Sequence, residues 1–220
     1  MTVNSTLTAR GLLLDMDGTL VNSDAVVERL WRRWAAENNL PADDVLAVAH
    51  GRQGWATMAE LLPERPIELN QAENDRMLAE EVTNVDGVVA VPGAPEFMAA
   101  IAHLPHALVT SASHALAESR MAAAALPLPT LRITSELVTA SKPDPEGFLK
   151  AAAELGIPPE DCLVFEDSEA GITAAKSAGM PVLGIGPRAA AFTPTAHIPD
   201  LTHLRIEQLP DATIAIHLTH

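Results

Sequence analysis

The sequence predicts an α/β fold in which a parallel sheet forms the core and a helical segment is inserted near the start of the chain. Two observations support this prediction. Short apolar runs alternate with stretches of helical periodicity, and several of these runs end directly in polar side chains. The first two such runs are also much farther apart than a single strand-to-strand crossover requires.

The first apolar run, residues 11–14, ends in two carboxylates that are one residue apart, Asp15 and Asp17. A short continuous apolar run is typical of a strand buried on both faces. Because side chains alternate along a strand, Asp15 and Asp17 begin on the same side. Two such carboxylates repel each other unless a cation joins them, and hard oxygen ligands near a phosphate suit Mg²⁺. An ionised aspartate can also attack phosphorus.

The second apolar run, residues 107–109, leads into the hydroxyl side chains of Thr110 and Ser111. Ser113 then begins a predicted helix over residues 114–121. Hydroxyls and free backbone N–H groups at the start of a helix hold a phosphate well. Taken alone, this segment is better explained by ordinary helix capping by Ser113.

The third candidate segment contains Lys142. It follows the apolar-rich segment 131–138 and precedes a helix predicted over residues 145–155. A lone lysine is usually a solvated surface charge. In this position its ammonium group could instead neutralise a phosphate and the nucleophile.

Glu166 and Asp167 follow the apolar run of residues 162–165 and precede a predicted helix. Two adjacent acids after a buried strand are costly without a partner, and a metal ion shared with Asp15 is the natural one. In open α/β sheets, ligands bind at the carboxyl ends of the strands. The four segments are therefore expected to meet at one edge of the sheet.

In residue type and order, these segments resemble the four motifs of the haloacid dehalogenase-like (HAD) hydrolase superfamily, whose signature is Asp-x-Asp-Gly-Thr. The resemblance extends from about Leu12 to about Leu204 and implies a Rossmann-like core. It implies that Asp15 is the nucleophile and that Asp17 is the acid–base group. The implied Mg²⁺ ligands are the Asp15 carboxylate, the Asp17 backbone carbonyl, Asp167 and Glu166, the last directly or indirectly. The implied phosphoryl ligands are Thr110, Ser111 and Lys142.

About 95 residues separate Asp15 from Thr110, whereas a crossover needs about 30. We therefore predict a core formed by residues 1–21 and 87–220 and a cap formed by residues 22–86. Helices are predicted from Ser23 or Asp24 as the cap residue, from Pro41 to near residue 50, and over 54–62 and 68–83. The insertion resembles the four-helix cap of one HAD subclass, in which the cap closes over the site and selects the substrate.

His50 and Arg52 are candidate substrate ligands within this cap, on either side of Gly51. An arginine offers a planar fork to a phosphate or to neighbouring hydroxyls. Similar His-Gly-Arg loops occur in the sugar-phosphatase branch of the superfamily, which acts on 2-deoxyglucose 6-phosphate, glycerol phosphate and polyol phosphates. The alternative is a glycine that ends a helix beside a surface arginine.

These features predict a Mg²⁺-dependent phosphatase that hydrolyses small phosphorylated sugars or polyols through an aspartyl-phosphate intermediate. The alternative is a phosphomutase of the β-phosphoglucomutase type, but that family carries a histidine near the position of Val27. Asp17 argues against a dehalogenase, which needs no acid for a halide, and Asp17 and the cap argue against a non-enzymatic phosphoacceptor. Phosphonate hydrolysis would need a lysine in the cap, and residues 22–86 contain none.

The net charge of −15 argues against nucleic acid or an anionic membrane as a partner. The partner is expected to be a small-molecule phosphate ester, and the protein a monomer or weak dimer. We expect a cytoplasmic protein, because no signal peptide or membrane span is evident. The single cysteine, Cys162, is predicted to be a buried small hydrophobe. The tail around Pro210-Asp211 predicts a hairpin.

Overall fold

The computed structural model describes residues 5–49 and 51–219. The strands in chain order are β1 (Thr6–Ala9), β2 (Gly11–Leu14), β3 (Val21–Asn22), β4 (Val89–Ala90), β5 (His106–Val109), β6 (Arg132–Ile133), β7 (Cys162–Glu166), β8 (Val182–Ile185), β9 (Ala196–Ile198), β10 (Leu204–Gln208) and β11 (Ile214–Leu218). The α-helices are α1 (Asp24–Glu37), α2 (Ala42–Ala49), α3 (Gly54–Leu61), α4 (Ile67–Thr83), α5 (Ala94–Ile101), α6 (His114–Ala123), α7 (Glu146–Leu155), α8 (Glu169–Ser177) and α9 (Gly186–Ala189).

A parallel sheet of six described strands forms the centre of the molecule, in the order β6-β5-β2-β7-β8-β9. Strand β2 lies between β5 and β7 and is buried along its whole length. Leu12 and Leu14 pack into the apolar cluster on one face, while Leu13 packs into the cluster on the other. Helices α5 and α6 contribute to the first cluster and α7 and α8 to the second, so helices cover both faces. The predicted α/β fold is confirmed.

The topology brings the candidate residues to one edge of this sheet. In a parallel sheet all strands end on the same side, and β2, β5 and β7 are neighbours. Asp15 and Thr110 directly follow β2 and β5, while Glu166 is the last residue of β7 and Asp167 follows it. The strand ends therefore place one hydroxyl and three carboxylates side by side.

Helices α1–α4 occupy the predicted insertion, and their bounds agree with the predicted ones to within one or two residues. The chain leaves and returns through β3 and β4, which pair antiparallel. Trp31 and Trp34 meet edge to face with ring centroids 5.4 Å apart, and Trp34 donates a 2.7 Å hydrogen bond to Glu73 on α4. The buried apolar residues of these helices belong to the same cluster as those of α5 and α6. The division into domains at residues 22 and 86 stays a prediction.

A second, antiparallel sheet joins the two ends of the described chain in the order β1-β11-β10. The predicted hairpin is confirmed by β10 and β11, but the sequence did not predict β1 beside it. Strands β6 and β9, of two and three residues, were also missed because they are too short to show a period. Among the described residues, no helix is long and apolar enough to cross a membrane.

Candidate active site

Asp15 lies at the carboxyl end of β2 and is only 4% exposed. Its backbone N–H donates to the carbonyl of Phe165 in β7 at 3.0 Å. The ammonium group of Lys142 donates to Asp15 Oδ1 at 2.7 Å, to Glu166 Oε1 at 2.9 Å and to the Val109 carbonyl at 3.0 Å. These bonds fix the Asp15 carboxylate, which also lines a cavity at this edge of the sheet.

The charged groups around Asp15 include more carboxylates than cations, and burial and these charges shift their pKa values. Burial raises the pKa of Asp15 well above its ordinary value, and Glu166 and Asp167 add to this rise against the effect of Lys142. Burial opposes the charge of Lys142, but Asp15 and Glu166 outweigh it and raise the pKa of the ammonium group. Burial and Glu166 likewise raise the pKa of Asp167 to about 7, although Arg188 opposes this. The cluster thus has more negative charge than its neighbours neutralise.

Three carboxylates could hold a metal ion here. Oxygen atoms of Asp15, Glu166 and Asp167 all lie within 4.8 Å of one another, and all three residues are buried. Such a set of hard oxygen donors suits a divalent cation. Gly18 lets the backbone approach this cluster: its φ is +85°, and a Cβ atom there would lie 2.1 Å from Asp167 Oδ2.

Glu166 is fully buried, and both of its carboxylate oxygens are already bonded. Oε1 accepts from Lys142, while Oε2 accepts from the backbone N–H of Ser168 at 2.7 Å and from its hydroxyl at 2.9 Å. The Ser168 hydroxyl in turn accepts from the N–H of Gly171 and caps α8. Glu166 therefore connects Lys142 to the first turn of α8.

The Asp17 carboxylate is held by two side chains. The Ser23 hydroxyl donates to Oδ1 at 2.7 Å, and Arg120 Nη1 on α6 donates to Oδ2 at 2.7 Å. Ser23 is the N-cap residue of α1, one of the two predicted, but its side chain makes no cap hydrogen bond and binds Asp17 instead. Arg120 Nη2 also pairs with Glu81 on α4. Burial raises the pKa of Glu81 to about 7, against the effect of Arg120.

Arg188 on α9 connects the acidic cluster to α1. Its Nη2 and Nε atoms lie 2.7 and 3.1 Å from Asp167 Oδ2, and Nη1 lies 3.0 Å from Asp24 Oδ1. Asp24 is the first residue of α1. Arg188 therefore supplies positive charge to Asp167 and also contacts the helical insertion.

Thr110 and Ser111 follow β5 beside Asp15. The Thr110 hydroxyl accepts from the N–H of Ala112 at 3.1 Å, and both residues line the cavity. The Ser111 hydroxyl donates to the Gly51 carbonyl at 3.0 Å, so it contacts the loop between α2 and α3. The hydroxyl of Ser111 is thus used to hold this loop.

The loop between α2 and α3 lies against the sheet edge. The N–H of Gln53 donates to the Ser141 hydroxyl at 3.0 Å. Arg52 lines the cavity, but its guanidinium group pairs with Glu60 on α3. Its Nε atom is buried and has no hydrogen-bond partner among the described residues. His50, the other predicted cap ligand, lies outside the described residues.

The cavity has a volume of about 510 Å³, which suits a small molecule. The sheet edge contributes Asp15, Asp17 and Thr110 to its walls. The helical insertion contributes two indoles, three amides, a guanidinium group and three carboxylates, from Trp31, Trp55, Gln53, Gln71, Asn74, Arg52, Asp24, Asp75 and Glu81. The cavity thus lies between the core on one side and the insertion on the other.

A model of the haloacid dehalogenase-like hydrolase family matches residues 9–179 of the chain. The chain belongs to this family. It is 36% identical to hexitol phosphatase A of Escherichia coli over 91% of this chain and 93% of that protein. It is 31% identical to fructose-1-phosphate phosphatase YqaB of Escherichia coli over 80% and 95%. Its fold matches β-phosphoglucomutase of Clostridium difficile with a TM-score of 0.75, at 17% identity over 90% and 93%.

The predicted resemblance to HAD-like hydrolases is therefore confirmed, and the structure brings Asp15, Asp17, Thr110, Ser111, Lys142, Glu166 and Asp167 together as predicted. Sequence reasoning missed Ser23, Glu81, Arg120 and Arg188. The last of these had a signal, because Arg188 follows the carboxyl end of β8. Arg120 had none, since an arginine within a helix is usually exposed.

Proposed function

We propose that this HAD-like hydrolase is a Mg²⁺-dependent phosphatase that hydrolyses small phosphorylated sugars or polyols through an aspartyl-phosphate on Asp15. The observation that carries this proposal is the buried Asp15 carboxylate, fixed by Lys142 at the edge of a cavity of about 510 Å³ between the core and the helical insertion. The names of the two phosphatases to which the chain is similar support the substrate class. The phosphomutase alternative has less support, since the likeness to β-phosphoglucomutases consists of a shared fold and a sequence match over only 45 residues.

The proposed reaction has two steps, formation and hydrolysis of the aspartyl-phosphate. A carboxylate oxygen of Asp15 attacks phosphorus, and the bond between phosphorus and the alcohol oxygen breaks while Asp17 protonates that oxygen. Asp17 then removes a proton from a water molecule, whose oxygen attacks the same phosphorus. This second attack releases inorganic phosphate and restores the Asp15 carboxylate. Thr110, the Ser111 backbone and Lys142 hold the phosphoryl oxygens throughout.

The acidic cluster supports Mg²⁺ as the metal ion, with the Asp15 carboxylate, the Asp17 backbone carbonyl and Asp167 as its ligands. When bound, Mg²⁺ supplies positive charge between the nucleophile and the phosphoryl group. We assign Glu166 to orienting Lys142 rather than to binding the metal directly, because both of its oxygens already accept hydrogen bonds.

Residues 22–86 act as a cap in this proposal, and Arg52 and His50 contact the part of the substrate that leaves as the alcohol. The amides and indoles of the cavity wall suit a polyhydroxylated molecule, which offers both hydroxyl groups and C–H faces. We further propose that the enzyme acts in the cytoplasm as a monomer or weak dimer, on a small phosphate ester rather than on nucleic acid.

A phosphate-release screen with Mg²⁺ tests the proposed function. The panel contains hexitol, hexose, glycerol and nucleoside monophosphates and a phosphoserine peptide. We expect the highest kcat/KM among the hexitol and hexose phosphates. Comparable turnover of the phosphopeptide would contradict the substrate class, and absence of phosphate release from every compound would contradict the phosphatase assignment.

The phosphomutase alternative needs a separate assay. The protein is incubated with a hexose 1-phosphate, Mg²⁺ and a hexose bisphosphate activator, and the products are separated by chromatography. We expect free hexose and inorganic phosphate. Accumulation of hexose 6-phosphate faster than phosphate release would favour the mutase.

A further inference from the structure

Arg120 is a buried guanidinium group that contacts two carboxylates from distant parts of the chain. It lies on α6 and is 4% exposed, and Nη1 donates to Asp17 Oδ2 at 2.7 Å. Nη2 pairs with Glu81 in the last turn of α4, which is 9% exposed. A single side chain of the core therefore joins the inserted helix α4 to the proposed acid–base residue.

Helix α4 is attached to α6 by a second contact beside the first. The hydroxyl of Ser119 donates to the carbonyl of Val82 at 2.7 Å. Two consecutive residues of α6 thus hold two consecutive residues of α4, but only Arg120 also reaches Asp17. Ser119 therefore affects only how α4 packs against α6, whereas Arg120 affects both this packing and the orientation of Asp17.

The charge and the planar shape of the Arg120 guanidinium group fix the geometry of its contacts with Glu81 and Asp17. A buried charge is costly without a partner, so Arg120 cannot leave either carboxylate without a penalty. Its guanidinium group is planar and presents its N–H groups in a fixed fork. The position of Glu81 therefore determines the direction in which Nη1 points toward Asp17.

The other side of Asp17 is held in a similar way. Its Oδ1 atom accepts from Ser23, which directly precedes α1. One oxygen of Asp17 is thus bonded to the residue that precedes the first helix of the insertion. The other is bonded to Arg120, which contacts the end of the last one. A carboxylate held in this way keeps its orientation only while both ends of the insertion are in place.

We propose that Arg120 is a positioning residue that couples the seating of α4 on α6 to the orientation of the Asp17 carboxylate. This inference rests on the proposed function, in which Asp17 protonates the leaving alcohol and then activates water. Loss of the coupling should reduce kcat for an alkyl phosphate, whose poor leaving group needs the proton. Substrate binding should change little, because Arg120 lines the cavity but both of its Nη atoms are bonded to carboxylates, and it is not among the proposed phosphoryl ligands.

The first test compares Glu81→Gln with two controls on the same pair of helices. Glu80→Gln alters the neighbouring residue, which pairs with Arg33 on α1 at 2.6 Å, and Ser119→Ala removes the other α4–α6 contact. With a hexitol monophosphate, Glu81→Gln should lower kcat by about tenfold, the value of one charge-assisted hydrogen bond. Both controls should keep kcat within about twofold of the wild type, because neither side chain is bonded to Arg120 or Asp17. Equal losses in Glu81→Gln and Ser119→Ala would overturn the inference.

The second test changes Arg120 itself. Removing its charge would leave Glu81 buried without a partner, so the variant is Arg120→Lys, which keeps the charge and loses the planar fork. With a hexitol monophosphate we expect kcat to fall by about 10- to 100-fold with KM within about threefold. The first turnover of 4-nitrophenyl phosphate, whose leaving group needs no proton, should fall by less than about threefold.

The double variant Arg120→Lys/Glu81→Gln should be no slower than Arg120→Lys, because both changes break the same connection from α4 through Arg120 to Asp17. Equal losses on the hexitol phosphate and in the first aryl turnover would indicate general damage and would overturn the inference. Wild-type kcat in Arg120→Lys and Glu81→Gln, with an inactive Asp17→Asn, would also overturn it while leaving the proposed function intact. An active Asp17→Asn would instead contradict the proposed function.

Discussion

The two walls of the cavity are built in different ways. On the core side, Asp15 and Glu166 are almost fully buried, and each is fixed by bonds to neighbouring strand ends or to the start of a helix. On the side of the insertion, the Arg52 side chain is 21% exposed, and its partner Glu60 is 48% exposed. The core wall is therefore rigid and densely charged, whereas Arg52 is the one cationic side chain that the described part of the insertion contributes to the cavity.

This difference indicates a division of labour between chemistry and selection. Buried and multiply bonded groups can be held in one geometry, which a nucleophile and its metal site require. A partly exposed ion pair contributes little to stability. Changes on the core wall should therefore affect every substrate strongly, whereas changes on the cap wall should affect substrates unequally and by smaller factors.

Asp15→Asn should produce the largest effect, because the amide removes the nucleophile while nearly keeping its shape. We expect kcat to fall by at least about a thousandfold on all substrates, equivalent to about 4 kcal/mol of activation free energy. Phosphate release measures the loss, and circular dichroism checks the fold. Asp43→Asn, on an exposed residue of α2, is the matched control. Near-normal turnover by Asp15→Asn would show that another group attacks phosphorus.

Removal of divalent ions should be nearly as severe. The carboxylates of Asp15, Glu166 and Asp167 crowd one buried site, and burial and mutual repulsion raise the pKa values of Asp15 and Asp167. Dialysis against EDTA should lower activity by roughly a hundredfold or more, and Mg²⁺ should restore it. Mg²⁺ should also raise the Tm of the wild type by preferential binding to the folded state, but not that of Asp167→Ala. Full activity in metal-free buffer would refute the metal site.

The difference between the core wall and the contacts of the insertion also explains which site residues the sequence could predict. Asp15 and Asp17 follow a buried strand within a few residues, so a local pattern and the topology of a parallel sheet were sufficient. The contact between Glu81 and Arg120 joins residues that lie 39 positions apart. It depends on the packing of α4 against α6, which no local pattern encodes. Arg188 lies between these cases, because the rule for strand ends would have identified it if applied to β8.

Arg52→Ala should show the selectivity expected of the cap wall. For a hexitol monophosphate, losing one charge-assisted hydrogen bond should lower kcat/KM by about 10- to 100-fold. For an aryl phosphate, whose good leaving group needs little help from the cap, the change should be less than about threefold. Arg76→Ala, on an exposed residue of α4, is the control for removing a cap arginine. Equal losses on both substrates would place Arg52 in the common machinery, and no loss on either would make it a surface charge.

Glu60→Gln should have the smallest effect and the opposite sign. Glu60 pairs with Arg52 in the structure, so it competes with the substrate for the same guanidinium group. Because exposed ion pairs contribute about 0.2–1 kcal/mol, neutralising Glu60 should lower KM for a hexitol monophosphate by at most about fivefold and leave kcat unchanged. The effect should weaken as salt is added, since salt already screens the pair. In the Arg52→Ala background the same change should do nothing. A rise in KM would show instead that Glu60 orients Arg52 toward the substrate, which would make the cap wall more rigid than its exposure indicates.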